Sequence, residues 1–211
     1  MGWDKKVTEY MTENYCRSGW NENDRKLLKD IIETLMRREF KILDVGCGTG
    51  MYYRVLSKDN PDIDYTGIDY SKDMIDKCKK LFPRDKYPNT KFLVGDIFNL
   101  NLSETYDIVI CSEVLSHLPT YMRPLQELFK VTSGYLIIKT ITRNDRTKLE
   151  SNVQWGNKFL RHEINKKEFT LVVNSMNPKN FFSIDIHNKK GRFLKRRKVQ
   201  HTVFIIHFEP D

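Results

Sequence analysis

The chain has 211 residues, 39% apolar and 30% charged, with only 10 Gly and 7 Pro. That is enough for one domain with a real core, and too apolar and too varied for a disordered or low-complexity chain. The formal charge of +8 is concentrated in the segment 189–198, KKGRFLKRRK, which carries seven basic residues and no acidic one, so any nucleic-acid argument rests on one local patch.

The opening MGWDKKVTEYMTENYC holds no apolar run of signal-peptide length, and no apolar stretch approaches the roughly 20 residues that cross a bilayer, so no membrane role and a cytoplasmic address are expected. Lys6 stands where a myristoylation signal needs Ser or Thr. Cys16, Cys47, Cys78 and Cys111 are widely spaced, form no CxxC pair and have no clustered histidines beside them, which predicts reduced thiols and no metal site.

Residues 1–39 read as helical, with Leu27, Leu28, Ile31, Ile32, Leu35 and Met36 on one face. The period then changes. Phe40 to Val45 is a short apolar run ended by Gly46, the pattern of a buried parallel strand, and Met51 to Ser57 follows as a helix. Asp64 to Tyr70 is a second predicted strand, Ser71 to Phe82 a helix with Ser71 as N-cap, and Lys91 to Asp96 a third strand. Tyr106 to Ser112 is a fourth strand, Thr120 to Val131 a helix, and Gly134 to Ile141 a fifth strand. This alternation predicts crossover units in an α/β, mostly parallel sheet covered on both faces. After a long connection, Thr142 to Ile164, come a helix at Lys166 to Met176 and two β-rich runs, Phe181 to His187 and Thr202 to Phe208, expected to pair as an antiparallel hairpin.

The chemistry concentrates at ILDVGCGTG, residues 42–50. Gly46, Gly48 and Gly50 alternate between a strand and a helix start, where the backbone can turn sharply and approach a ligand, with unpaired helix N–H groups behind it. The dinucleotide spacing GxGxxG fails, because Met51 stands at its third glycine, and no Gly-Lys-Ser or Gly-Lys-Thr follows to make a phosphate loop.

With Asp44 ahead of Gly46, Gly48 and Gly50, the chain resembles the class I S-adenosylmethionine-dependent methyltransferases. Further segments carry the resemblance: TGIDYS with Asp69, FLVGDIF with Asp96 and Ile97, and YDIVICSEVLSHLP, together covering roughly residues 40–141. The resemblance implies S-adenosyl-L-methionine as cofactor and a Rossmann-like, three-layer fold whose seven strands run 3-2-1-4-5-7-6, the last antiparallel. It implies a ribose-binding carboxylate at Asp69, beside Tyr70, and adenine contacts from Asp96, Ile97 and Met74. The methionine end and methyl are implied to lie at Cys111, Ser112 and Glu113, with Cys47 inside the loop. Three aspartates beside a cofactor of net positive charge agree with this, whereas a phosphate-bearing one would be badly placed.

For a general base, His117 comes first, since it follows the fourth strand and titrates near neutrality. A turn-capping histidine is the other reading. Glu113 is the second candidate, with orientation of the methionine ammonium as its alternative. Residues 1–39 are expected to form a helical lid over the unit 40–211, with Tyr10, Tyr15 and Trp20 as candidate substrate contacts and Trp3 beside them. Trp155, in the connection after the fifth strand, is a further one. The acceptor is expected to be a small molecule. RNA or protein through the basic segment 189–198, and a non-catalytic cofactor-binding partner, are the alternatives.

Overall fold

The structure is a computed structural model, and it describes residue 9 and residues 22–37, 39–154, 157–187 and 200–209. The elements follow in chain order. Helix α1 (Glu22–Leu35) precedes strand β1 (Lys41–Val45), helix α2 (Met51–Leu56), strand β2 (Asp64–Asp69), helix α3 (Lys72–Leu81) and strand β3 (Thr90–Val94). Then come strand β4 (Tyr106–Ser112), a 3-10 turn at Leu115–His117, helix α4 (Met122–Lys130) and strand β5 (Thr132–Arg143). Strands β6 (Lys148–Gln154) and β7 (Asn157–Asn165), helix α5 (Lys166–Ser175) and strands β8 (Asn180–His187) and β9 (Gln200–His207) complete it. No helix among the described residues is long and apolar enough to cross a membrane.

Strands β3, β2, β1, β4 and β5 lie side by side, all parallel. Strand β9 enters antiparallel on the far side of β5, with Tyr135 opposite His207 and Thr142 opposite Gln200, and β8 closes that edge antiparallel to β9. With β8 and β9 as the sixth and seventh core strands, the order is the expected 3-2-1-4-5-7-6. Both faces of the sheet are buried, as a parallel sheet demands. On one face Ile42, Tyr65, Ile108, Ile137 and Val203 pack with Leu28 and Ile32 of α1, Tyr53 and Leu56 of α2, and Ile75 of α3. On the other, Leu43, Val109, Leu136, Ile138 and Phe204 meet Leu125 and Leu128 of α4 and Phe169 and Val173 of α5. Burying each of these side chains stabilises the fold by roughly 1.5–3 kcal/mol before entropy is counted.

Local signals placed the helix starts. Ser71 Oγ accepts from Met74 N at 3.4 Å, as expected of an N-cap, and Asn165 Oδ1 accepts from Glu168 N at 2.8 Å at the head of α5.

The segment between β5 and α5 departs from expectation. Thr142 to Ile164 is not an irregular connection: β5 itself continues to Arg143, and β6 and β7 form an antiparallel hairpin from Lys148 opposite Glu163 to Gln154 opposite Asn157. The end of β7 pairs in parallel with the end of β5 at Thr142–Ile164 and Arg143–Asn165. Since β9 occupies the other side of Thr142, β7 runs on the β4 side of β5 and prolongs the sheet beyond the carboxyl end of β4.

Candidate active site

The glycine loop leaves β1 with Gly46 and Cys47 both donating to the carbonyl of Ile68, at 2.7 and 3.0 Å, which bends the chain toward the end of β2. Gly46 has φ +80°, and a Cβ there would lie 2.2 Å from Val114 Cγ2, so the turn after β4 presses directly on the loop. Gly48, at φ +55°, has nothing among the described residues within 4 Å of the place a Cβ would occupy. The first glycine is required by close packing of protein on protein, the second by an open face.

Asp69 ties this loop to β2. Its Oδ2 accepts from Gly48 N at 2.9 Å and its Oδ1 from Ser71 N at 2.8 Å. Burial raises the Asp69 pKa, and these two N–H groups oppose that. Each oxygen keeps a second lone pair, so the carboxylate can still accept from a ligand's hydroxyls. Tyr70 beside it is 65% exposed. Asp96, after β3, is exposed, with Oδ1 accepting from Phe98 N at 2.9 Å, while Ile97 is buried next to it.

Three expected cradle residues are closed off by protein. Asp44 is 1% exposed, and Tyr65 donates to its Oδ2 at 2.5 Å from within the buried face. Burial, first, and the nearby Asp69 charge push the Asp44 carboxyl up to about 7, the Tyr65 hydrogen bond holding it down. Asp44 thus underpins the loop instead of lining its open side, because its position on β1 points it to the same face as Ile42. Met74 is 1% and Cys111 0% exposed, both covered by protein alone. Cys47 is buried beneath the loop, its thiol 3.7 Å from the carbonyl of Gly48, the same carbonyl that the Cys78 thiol of α3 reaches at 3.2 Å.

The end of β4 gathers the polar chemistry. Ser112 Oγ accepts from Tyr52 OH of α2 at 2.9 Å. Glu113 adopts φ +62°, a left-handed conformation that costs a non-glycine residue about 1–2 kcal/mol. It is held there by its own N–H to the carbonyl of Lys139 at 2.8 Å and by Ser116 Oγ donating to its carbonyl at 3.1 Å. Glu113 Oε1 accepts from His201 Nδ1 and lies 2.8 Å from both that atom and Lys139 Nζ. Burial alone would raise this carboxyl, but the His201 hydrogen bond and the Lys139 charge outweigh it and hold the pKa at about 2. Glu113 therefore stays ionised near neutrality, and with a conjugate acid of pKa about 2 it is a weak proton acceptor at that pH.

His117 sits in the 3-10 turn with its ring 5.7 Å from that of Phe159 on β7. Its Nδ1 is 3.2 Å from the carbonyl of Leu160. A carbonyl only accepts, so Nδ1 carries the proton and Nε2 the lone pair. Burial lowers the His117 pKa, with the Leu160 carbonyl and Glu113 opposing, so the ring is neutral at pH 7. Lys139, His201 and Tyr52 escaped the sequence reading. A lysine inside the apolar run YLIIKTI was the available signal for Lys139; nothing local marked the other two.

Trp3, Tyr10, Tyr15, Trp20, Trp155 and the basic segment 189–198 lie outside the described residues. A separate open cleft of about 580 Å³ lies at the opposite, amino-terminal end of the sheet, lined by Phe40, Ile63, Glu33 and Asp59 among others, away from the glycine loop.

The family profile described as "Methyltransferase domain" matches residues 37–195. Malonyl-[acyl-carrier protein] O-methyltransferase of Bacillus anthracis is 32% identical over 146 residues, covering 62% of this chain and 53% of that one. Ubiquinone biosynthesis O-methyltransferase of Coxiella burnetii is 31% identical over 120 residues, covering 56% and 50%. The chain thus spans about half the length of the curated relatives it matches. Among solved structures, Haemonchus contortus phosphoethanolamine N-methyltransferase 2, in complex with phosphomonomethylethanolamine and S-adenosylhomocysteine, superposes with a TM-score of 0.67 at 12% identity, covering 92% of this chain and 53% of that one. With three quarters of its length matched by one profile and the same sheet order, the chain belongs to the methyltransferase domain family.

Proposed function

We propose that this chain binds S-adenosyl-L-methionine at the carboxyl ends of β1, β2 and β4 and transfers its methyl group to a small-molecule acceptor. The observation that carries the proposal is the pairing of Gly48 with Asp69: an open, side-chain-free stretch of loop lies 2.9 Å from a carboxylate that retains acceptor capacity. That combination suits a cationic nucleoside with vicinal hydroxyls and repels pyrophosphate. Asp96, Ser112 and Glu113 complete the rim, Glu113 as a fixed negative charge for the methionine ammonium, and Tyr70 and Ile97 flank it. The cofactor supplies a methyl already activated on a sulfonium, so the protein's part is alignment, exclusion of water and handling of the acceptor's proton. His117, neutral and at the end of β4, is one group available for that last task.

In this reading the part of residues 1–39 ahead of α1 serves as the lid over the unit 40–211, α1 itself being packed on the sheet, and the β6–β7 hairpin closes the acceptor side. The two curated relatives are both named as O-methyltransferases, which supports an oxygen acceptor. A cytoplasmic address belongs to the same proposal, consistent with the buried free thiols Cys47, Cys78 and Cys111.

Calorimetry with S-adenosylmethionine, S-adenosylhomocysteine and NAD tests the cofactor. Micromolar binding of the first two and none of the third is expected; the reverse preference refutes the proposal. Labelled methyl transfer into the metabolite fraction of a cell extract then tests turnover, and binding without transfer to any fraction would identify a non-catalytic binding protein instead.

A further inference from the structure

Resting on the methyl-transfer reading above, we propose that His201 is the proton acceptor of the reaction, oriented by Glu113, and that the acceptor atom is a hydroxyl oxygen. His201 lies at the start of β9, opposite Ile141 of β5. Because β9 runs antiparallel, its first residues reach the same edge of the sheet as the carboxyl ends of β4 and β5, where the methyl is delivered. The ring is largely buried, but its side chain keeps 14% exposure at that edge.

Glu113 Oε1 lies 2.8 Å from His201 Nδ1 and 2.8 Å from Lys139 Nζ. Lys139 is in register with Ser112 on the neighbouring strand and only 8% of its side chain is exposed, so its ammonium keeps the carboxylate between it and the His201 ring charged. An ionised carboxylate only accepts, which puts the His201 proton on Nδ1 and the lone pair on Nε2. An imidazole held in one tautomer by a partly buried carboxylate is the arrangement that turns a weakly acidic hydroxyl into a nucleophile. Glu113 and Lys139 are positioning residues in this scheme.

Among the described residues, charged and titratable groups of the neighbouring elements have partners of their own. Across β8 it faces Ile186, and Asp185 is engaged instead by Thr202 Oγ1 at 2.8 Å and Lys166 Nζ at 2.7 Å. From the turn after β4, His117 points its own Nδ1 at Leu160, and Arg161 of β7 pairs with Glu163 at 2.8 Å.

The chemistry selects the acceptor class. A carboxylic acid is already ionised at pH 7 and an amine needs only to be neutral, whereas a hydroxyl, with a pKa of about 10 or higher, must give up its proton. The acceptor oxygen forms the new bond to the methyl carbon, the carbon–sulfur bond breaks with its electron pair leaving on neutral sulfur, and the hydroxyl proton passes to Nε2 of His201 and from there to water.

The test uses the full chain with labelled S-adenosylmethionine and three probes: 3,4-dihydroxybenzoate as hydroxyl, malonyl-pantetheine as carboxylate and phenethylamine as amine. Label should enter the hydroxyl of dihydroxybenzoate, with kcat/KM rising with pH along an acidic limb. His201→Gln should lower kcat at least about 100-fold and abolish that limb, with calorimetric affinity for S-adenosylmethionine within about twofold of wild type. Transfer to the carboxylate or amine alone, transfer to none of the three, or a limb that survives in His201→Gln overturns the proposal. Nitrogen-15 imidazole spectra of the protein without ligand give a separate readout: His201 should be protonated on Nδ1, and an Nε2–H ring refutes the dyad even if methyl transfer is established. Absence of S-adenosylmethionine binding would instead defeat the underlying reading and leave the tautomer result standing.

Discussion

His117 and His162 are laced across one interface in opposite directions. Nδ1 of His117, in the turn after β4, meets the carbonyl of Leu160 on β7 at 3.2 Å, while Nδ1 of His162 on β7 meets the carbonyl of Leu118 at 3.1 Å. Both rings donate from Nδ1, so the β6–β7 hairpin is stitched to the site-forming turn at two points, one residue apart on the turn and two apart on β7. Phe159 and Tyr121 flank the stitches, with ring centroids 5.7 Å from His117 and 5.8 Å from His162.

This clasp makes stability depend on pH. Burial lowers both histidine pKa values below the unfolded value, so their contribution is complete above about pH 6.5 and is lost as pH falls through the lower folded values. The melting temperature should drop between pH 7 and pH 5, by an amount on the order of 3 °C for each kcal/mol lost in a domain of this size. The double substitution His117→Gln, His162→Gln retains side-chain N–H donors and removes the titration, so calorimetric scans of it should be flatter over that range. An undiminished pH dependence would show that other groups control it.

The two glycines of the loop should respond differently to alanine. Gly46→Ala forces a methyl to within 2.2 Å of Val114 at φ +80°, and a loss of roughly 3 kcal/mol or more in denaturant unfolding is expected. Gly48→Ala meets no atom of the described residues and should cost only about 1 kcal/mol of backbone strain, its larger effect falling on S-adenosylmethionine affinity. Equal destabilisation by the two would contradict the assignment of Gly48 to an open ligand face.

Asp69→Ala removes the two hydrogen bonds that tie the loop to the end of β2 as well as the proposed ribose contact. Calorimetry should show S-adenosylmethionine affinity reduced at least about tenfold, the loss expected for one charged hydrogen bond. Asp69→Asn still accepts through its carbonyl oxygen and should fall between the two. Wild-type affinity in Asp69→Ala would remove Asp69 from the site.

Asp44 imposes the opposite pH trend to the histidines. Its folded pKa of about 7 exceeds the unfolded value, so the fold is favoured below about pH 4 and progressively penalised as pH rises through 7. Asp44→Asn keeps an acceptor for the Tyr65 hydroxyl without the buried charge. Its melting temperature at pH 8 should exceed that of wild type by about 3 °C or more, with the advantage shrinking as pH falls and gone below about pH 4. A destabilised Asp44→Asn at pH 8 would mean that the carboxylate has a partner beyond Tyr65.

Much of this protein was written locally. The shift from helical to strand spacing at Phe40, the alternation of strands and helices to Lys130 and the Ser71 cap follow from interactions within a few residues, and the three glycines, at φ +80°, +55° and +76°, announce a sharp turn even though Val114 and Phe82, which press on two of them, are distant in sequence. So does Asp69, because a carboxylate placed directly after a strand that borders a glycine loop has one place to go.

What neighbours in sequence could not decide was direction and partnership. In a parallel sheet buried on both sides, polarity does not tell which layer a side chain enters, and register alone turned Asp44 toward Tyr65 under the loop. Glu113 meets His201 across 88 positions, and Lys139 reaches it only because β5 lies beside β4 with Lys139 level with Ser112. The same long-range pairing converted Thr142–Ile164 from an apparent loop into a hairpin, since β7 gains its order from the end of β5 and from two histidines whose targets are backbone carbonyls, groups that every residue carries and no sequence pattern announces.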